Sequence, residues 1–321
     1  MKEIDTEGSI SSVIDALRGE AVSSFCNIEN ETWFRGQPDY KHKLVPAIFR
    51  DSYNEAEMYE EFIRRYPDHF VNHQNIFEWL TLMQHYGLPT RLLDLSTNLL
   101  VALYFCCNEE KEEHGALFVF NPGSKLSADH YFSKFLEVLI TSRGRGQFYD
   151  RLIKAAYEEL GEEATIHGIT VRDWKADFIH LNNVYNDIDG ASEFKSFEEW
   201  CDMPSQKSKS YCNIEGNFST TYRFKPPHLN PRIRQQHGCF TFHGGKYFKE
   251  MPTKQGETYK SVEFIKINNM ERYENSLIKI KIKSGVKDKL LKELALTGIN
   301  EATLFPEMEY QTKHIKQQYK I

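Results

Sequence analysis

His85-Tyr86-Gly87-Leu88-Pro89-Thr90-Arg91-Leu92-Leu93-Asp94-Leu95-Ser96-Thr97-Asn98 is the stretch on which the fold turns. A helix from about Ile76 to Tyr86 leads into it. Gly87 sits where a helix C-cap wants a left-handed residue, and Pro89 forbids continuation. Thr90 to Leu95 then reads as extended, and Asn98 to Cys107 as a helix so apolar that it must be buried. On an extended Thr90–Asp94, Thr90, Leu92 and Asp94 share one face, and Arg91 and Leu93 take the other. One of Ser96, Thr97 and Asn98 is expected to cap the buried helix.

Working outward toward the N-terminus, residues 55–70 carry Met58, Tyr59, Phe62, Ile63 and Tyr66, a helical stripe stopped at Pro67. Lys43 to Arg50 is a loop around Pro46, Thr32 to Gly36 a strand ending at glycine, and residues 9–18 a short helix. Toward the C-terminus, Ala116 to Phe120 is a strand closed by Asn121-Pro122-Gly123. From about 124 to 220 the character changes. Helical patterns near 147–160 and 171–185 give way to acidic and Ser/Asn-rich stretches, so this segment is expected to be a helical insertion. Strands return at Gly238–Phe242, Val262–Ile267 and Leu277–Ile282. The last two alternate strictly, which predicts one wet face each. Lys287 to Leu296 is a helix ended by Gly298, and Thr303-Leu304-Phe305-Pro306 precedes a final charged helix. This order predicts an α+β fold of small mixed or antiparallel sheets with packed helices.

Composition narrows the function classes. Hydrophobic residues make up 40% of the 321, enough for a substantial core. The net charge of -6, from 46 acidic and 40 basic residues, gives no global pull toward nucleic acid or anionic membrane, though a local basic groove is compatible with it. The six cysteines form no C-x-x-C pair. Zinc spacing is absent, and reduced thiols in a cytoplasmic protein are expected. Met1 to Glu7 is polar and acidic, unlike a signal peptide, and no apolar run has the length of a membrane helix.

Three segments carry candidate chemistry. Arg35, between Phe34 and Gly36 at a strand end, has the fork geometry to hold a phosphate or carboxylate. Gly36 would let backbone or ligand come close. The alternative for Arg35 is a structural pair with an acid such as Asp94, and residue chemistry weighs the two evenly. In the second segment, His85 by itself suits a satisfied helix-end histidine. The third runs from Pro226 to Phe240: prolines hold the approach extended, Arg232 and Arg234 are basic, and Gln236 precedes a strand. Gly-rich dinucleotide, Walker A, H-E-x-x-H and G-x-S-x-G motifs are absent.

At these segments the chain resembles the FRG domain family, named for its Phe-Arg-Gly motif. The matching residues are Trp33-Phe34-Arg35-Gly36-Gln37, Gln84 to Asp94 and Ala102-Leu103-Tyr104-Phe105. Further on they are Gly115 to Phe120, Asn230-Pro231-Arg232-Ile233, Gln236 to Phe240 and Thr303-Leu304-Phe305-Pro306. The resemblance divides the chain into an N-terminal half of the FRG core (1–123), the insertion (124–220) and a C-terminal half (221–321). A weaker similarity runs to the ADP-ribosyltransferase fold. Phe34-Arg35-Gly36 looks like its first-strand Arg or His, Asp94-Leu95-Ser96-Thr97 like its Ser/Thr segment before an apolar helix, and Arg234-Gln235-Gln236 like its late catalytic element. That last element here has Gln236 where a Glu is expected.

The similarity implies NAD as substrate, with Arg35, Asp94 and Gln236 as catalytic residues. Gly36, Gln37, Tyr86, Thr90, Arg91, Ser96 and Arg232 would line the cofactor, Arg35 holding pyrophosphate or ribose and Tyr86 stacking on nicotinamide. The missing carboxylate would come from Asp94, Glu307 or Glu309. Transfer of ADP-ribose to a protein or nucleic acid, or NAD hydrolysis, would suit a toxin or an anti-phage effector. Two other classes stay open. One is a non-catalytic module whose Arg35, Arg91 and Arg232 bind nucleotide or nucleic acid. The other is a metal-dependent nuclease or hydrolase using Asp94 and His85.

Overall fold

The computed structural model describes residues 2–18, 32–51, 53–70, 75–120, 132–143, 145–161, 163, 165–166, 169–172, 221–227, 230–244, 246–247, 263–264 and 277–320. Its centre is one seven-stranded sheet. In chain order the strands are β1 (Lys2–Asp5), β2 (Trp33–Gln37), β3 (Leu92–Ser96), β4 (Gly115–Phe120), β7 (Thr221–Phe224), β8 (Gly238–His243) and β11 (Leu277–Ile282). Between them fall the two-residue strands β5 (Thr165–Ile166), β6 (Ile169–Thr170), β9 (Lys246–Tyr247) and β10 (Glu263–Phe264), which form two separate ribbons. The spatial order of the main sheet is β1-β11-β4-β2-β3-β8-β7. Its pairs are antiparallel except β1 with β11. The α+β expectation holds, but one large sheet replaces the expected small ones. Strand β1 is invisible to hydropathy because Lys-Glu-Ile-Asp has no apolar alternation.

The helices are α1 (Ile10–Arg18), α2 (Glu55–Arg65), α3 (Pro67–Phe70), α4 (Ile76–His85), α5 (Leu99–Cys107), α6 (Phe132–Thr141), α7 (Arg145–Leu160), α8 (Pro231–Gln235), α9 (Lys287–Leu296), α10 (Glu301–Leu304) and α11 (Met308–Gln318). Local chemistry sets the ends near the deciding stretch. Asn75 caps α4 by accepting from the Phe77 and Glu78 amides. Gly87 ends that helix at φ 84°. Asn98 caps α5 by accepting from the Leu100 amide at 2.9 Å.

Cross-strand partners Val119–Phe34–Ser96–Gly238 lie on one face of the sheet. That face carries two apolar clusters. In one, Leu117, Val119, Ile278 and Ile280 meet α1, α5, α9 and Leu304. In the other, Leu92, Phe224, Phe240 and Phe242 meet α2, α4, α6 and α7. Helices α6 and α7, at the start of the segment expected as an insertion, thus bury Phe135, Leu139, Phe148 and Leu152 in the same core as β8. Most of 171–185 and of Val262–Ile267 lies outside the described residues. The predicted wet face of Leu277–Ile282 is overturned at Lys279, which is only 9% exposed. Its Nζ donates to the Tyr40 carbonyl at 2.7 Å and lies 3.7 Å from the Tyr40 ring centroid, so an aromatic ring and a carbonyl replace water. Cys106, Cys107 and Cys239 are buried free thiols, and the other three cysteines lie outside the described residues.

Candidate functional site

Strands β2 and β3 pair through one register position, Phe34 with Ser96, whereas β2 follows β4 along its whole length. The two strands therefore splay. A cleft of about 970 Å³ opens at the splay, between the two helical clusters. Arg35, Asp94 and Gln236 all line it, as do Gly36, Gln37, Ser96 and Arg232. Three segments far apart in the chain thus converge on one cavity.

Arg35 holds the splay together. Its Nη1 donates to the Asp94 main-chain carbonyl at 2.5 Å and lies 4.0 Å from Asp94 Oδ2. Its Nε is buried and has no hydrogen-bond partner among the described residues. One N–H thus bridges strands where the backbone ladder has parted, as the structural reading expects, and a second donor is left without a partner among the described residues. Burial lowers the Arg35 pKa, Asp94 opposes that shift, and the neighbouring Arg50 adds to it. An arriving anion would relieve both the desolvation and the repulsion between the two guanidinium groups.

Asp94 is the exposed residue of an otherwise buried β3, its side chain 66% exposed. Gln84 aims it: Nε2 donates to Asp94 Oδ1 at 2.7 Å, while Oε1 accepts from the Thr90 hydroxyl. Thr90 and Asp94 share a face, as alternation predicts, and Gln84 spans them. Sequence reasoning does not single out Gln84 as a site residue. Its position one turn before Gly87, on the helix end that faces β3, is the available signal.

Several expected ligand residues have structural roles instead. Arg91 is fully buried and outside the cleft. Its guanidinium pairs bidentately with Glu55, donates to the His243 carbonyl, and lies 5.6 Å and 5.4 Å from the Phe49 and Phe242 ring centroids. Thr90 is buried and outside the cleft too, its oxygen also accepting from the Leu92 amide. Tyr86 is 61% exposed and faces an adjoining cavity, so it cannot stack on a ring held in the cleft. Ser96 lines the cleft, but its hydroxyl donates to the Gln236 carbonyl and accepts from the Asn98 amide. Gly36 accommodates a helix rather than a ligand: a Cβ there would lie 1.8 Å from the Ala102 carbonyl oxygen of α5.

The remaining wall is basic and aromatic. Lys43 and Arg50 join Arg35 and Arg232, so among the described residues four fixed cations face two carboxylates, Asp94 and Glu109. Phe34, Phe49, Phe105, Phe240 and Phe305 supply rings. Arg232 lies over Phe305 at 4.6 Å and 4.0 Å from Glu307 Oε1. Gln37 is buried with its amide donating to the Lys43 carbonyl at 3.3 Å. Gln236 donates its amide to the Leu304 carbonyl at 3.1 Å, which ties α10 to the cleft. Of the three acids expected to replace a catalytic glutamate, only Asp94 lines the cleft. Glu307 lines the adjoining cavity, and Glu309 a shallow depression along α11.

His85 stands where the two cavities meet. Burial lowers its pKa, Arg232 lowers it further, and Glu307 opposes. The shift favours the neutral ring. An NMR titration is expected to place His85 below the ordinary imidazole range, and Arg232→Gln to raise it. Because the folded state disfavours protonation, His85 costs stability as pH falls through the ordinary imidazole range, and none above it.

Residues 30–115 match the family model of the FRG domain. No curated protein sequence and no solved structure matches the chain. Among the described residues, no helix is long and apolar enough to cross a membrane.

Proposed function

We propose that this FRG-domain chain binds a nucleotide in the splay cleft, with NAD as the substrate, and transfers its ADP-ribose to an acceptor. The observation that carries this reading is the convergence of Arg35, Asp94 and Gln236 on one basic, aromatic-lined cleft in a chain of net negative charge. Its volume of about 970 Å³ lies at the upper end of the range for small-molecule sites, which suits an extended dinucleotide. The three residues sit on or beside β2, β3 and β8, which are consecutive in the sheet.

In this mechanism Arg35 and Arg50 hold the pyrophosphate. The C1′–N bond of NAD breaks with its electron pair leaving on nicotinamide, and positive charge grows on the ribose. Asp94, fixed by Gln84, stabilises that charge. The acceptor forms the new bond to C1′ and gives up a proton, for which neutral His85 is the nearby base. With water as acceptor the same steps give hydrolysis.

A second reading has its own support. The Gln236 amide is engaged by Leu304, so the corner expected to carry a glutamate holds no carboxylate. This favours a module that binds the nucleotide without turnover.

Incubation with labelled NAD separates the readings. Label transfer or nicotinamide release supports catalysis. A rise in melting temperature with NAD and no turnover supports binding only. Neither effect overturns both. Arg35→Gln is expected to weaken NAD binding by about 10- to 100-fold, the worth of one or two charge-assisted hydrogen bonds, measured by calorimetry.

A further inference from the structure

A second cavity, of about 650 Å³, adjoins the cleft and shares Thr81, His85 and Ile233 with it. Its chemistry is the opposite. Glu78 and Glu307 line it, with no Lys or Arg among the described residues, and Tyr86 with Pro226, Pro227, Pro231 and Pro306 supplies flat apolar surface. Three independent parts of the chain thus build the annex: α4 from Glu78 to His85, the proline-rich approach to α8, and the Pro306–Glu307 turn before α11.

Glu307 is the informative residue. Its Oε1 lies 4.0 Å from Arg232, too far for a hydrogen bond, and its Oε2 is buried with no hydrogen-bond partner among the described residues. The side chain is nonetheless 34% exposed, so the carboxylate keeps acceptor capacity at Oε1, which Arg232 approaches without a hydrogen bond. Arg232 itself lies over Phe305 and lines the cleft. Glu78 also lines the annex and accepts from Asn75 Nδ2 at 2.8 Å. The Tyr86 ring, 61% exposed, offers a π face to a cation.

We propose that the annex binds an arginine side chain of a polypeptide acceptor, its guanidinium facing Glu307 and its methylene stem against the prolines and Tyr86. A planar fork with several N–H groups suits a carboxylate with a free oxygen, and weak hydration lets it sit on aromatic and proline surface where an ammonium would not. The proposal rests on the nucleotide reading of the cleft for its role, since the two cavities meet at His85. There the guanidine nitrogen would lose its proton as it bonds to C1′ and nicotinamide departs with the electron pair of the broken bond.

The test uses calorimetry on the full chain with three probes: agmatine, its isostere N-carbamoylputrescine, which keeps the ammonium and replaces the guanidinium with a neutral urea, and ADP. Agmatine is expected to bind, the isostere to bind at least about tenfold more weakly, and Glu307→Gln to weaken agmatine by about tenfold or more. Glu78→Gln, on a different element, is expected to give a smaller loss and guards against a folding defect in the first variant. ADP should bind Glu307→Gln no more weakly than the parent, because the substitution removes a negative charge beside Arg232. Equal binding of agmatine and its isostere, or agmatine affinity untouched by Glu307→Gln, overturns the annex. Agmatine binding without ADP binding upholds the cation site and overturns the nucleotide reading.

Discussion

Replacing Gly36 with alanine is expected to leave too little folded protein to assay. The added Cβ would stand 1.8 Å from the Ala102 carbonyl oxygen, 2.9 Å from its carbon and 2.5 Å from the Cys106 nitrogen. All three are backbone atoms of α5, so no side chain can turn aside. The helix cannot retreat either, because its far side is packed against α9 in a cluster of fully buried residues. Relief would need a shift of more than about 1 Å through close-packed core, at a cost of at least ~3 kcal/mol. Urea unfolding and soluble yield measure it. Gly87→Ala is the contrast. Gly87 has φ 84° and open space where the alanine Cβ would stand, so only left-handed strain applies, about 1–2 kcal/mol. If the two substitutions cost the same, the close approach of β2 to α5 is not what requires Gly36.

The second large effect is expected at Arg91. Arg91→Met removes the guanidinium and leaves the Glu55 carboxylate, whose side chain is 10% exposed, without its cation. The His243 carbonyl loses a donor as well. An uncompensated buried charge costs on the order of 3–5 kcal/mol, a large part of the stability of an ordinary domain. The melting temperature should fall by several degrees. The double variant Glu55→Gln with Arg91→Met should recover part of the loss, because it removes the stranded charge. NAD binding per folded molecule should be unchanged, since Arg91 does not reach the cleft. A loss of binding with stability intact would return Arg91 to the ligand site.

Both predictions separate motif from chemistry. Gly36 and Arg91 lie within motif segments that suggest function, yet one admits a helix and the other neutralises a buried acid. Arg35, beside Gly36, lines the cleft with its Nε unpartnered among the described residues. Sequence spacing could not sort them, because an arginine next to an apolar residue reads alike whether its partner is a distant glutamate or solvent.

Elements whose causes are local could be read from residue order. Asn98 capping α5, Gly87 ending α4 with a positive φ, the apolar run that buries α5 and the strand at 115–120 all follow from residues within a turn of one another. The resemblance brought forward Arg35, Asp94 and Gln236 together, and the fold places all three on one cleft. Tertiary structure alone decided the rest. Strand β1 exists because β11 offers it an edge, not because of its own pattern. Lys279 is buried because Tyr40 covers it. The splay between β2 and β3 decides that Asp94 faces a cleft. Glu55, from another helix, decides that Arg91 does not. The physical reason is common to these cases: caps and periodicity act over a few residues, whereas burial and charge pairing depend on what the chain brings back from tens or hundreds of positions away.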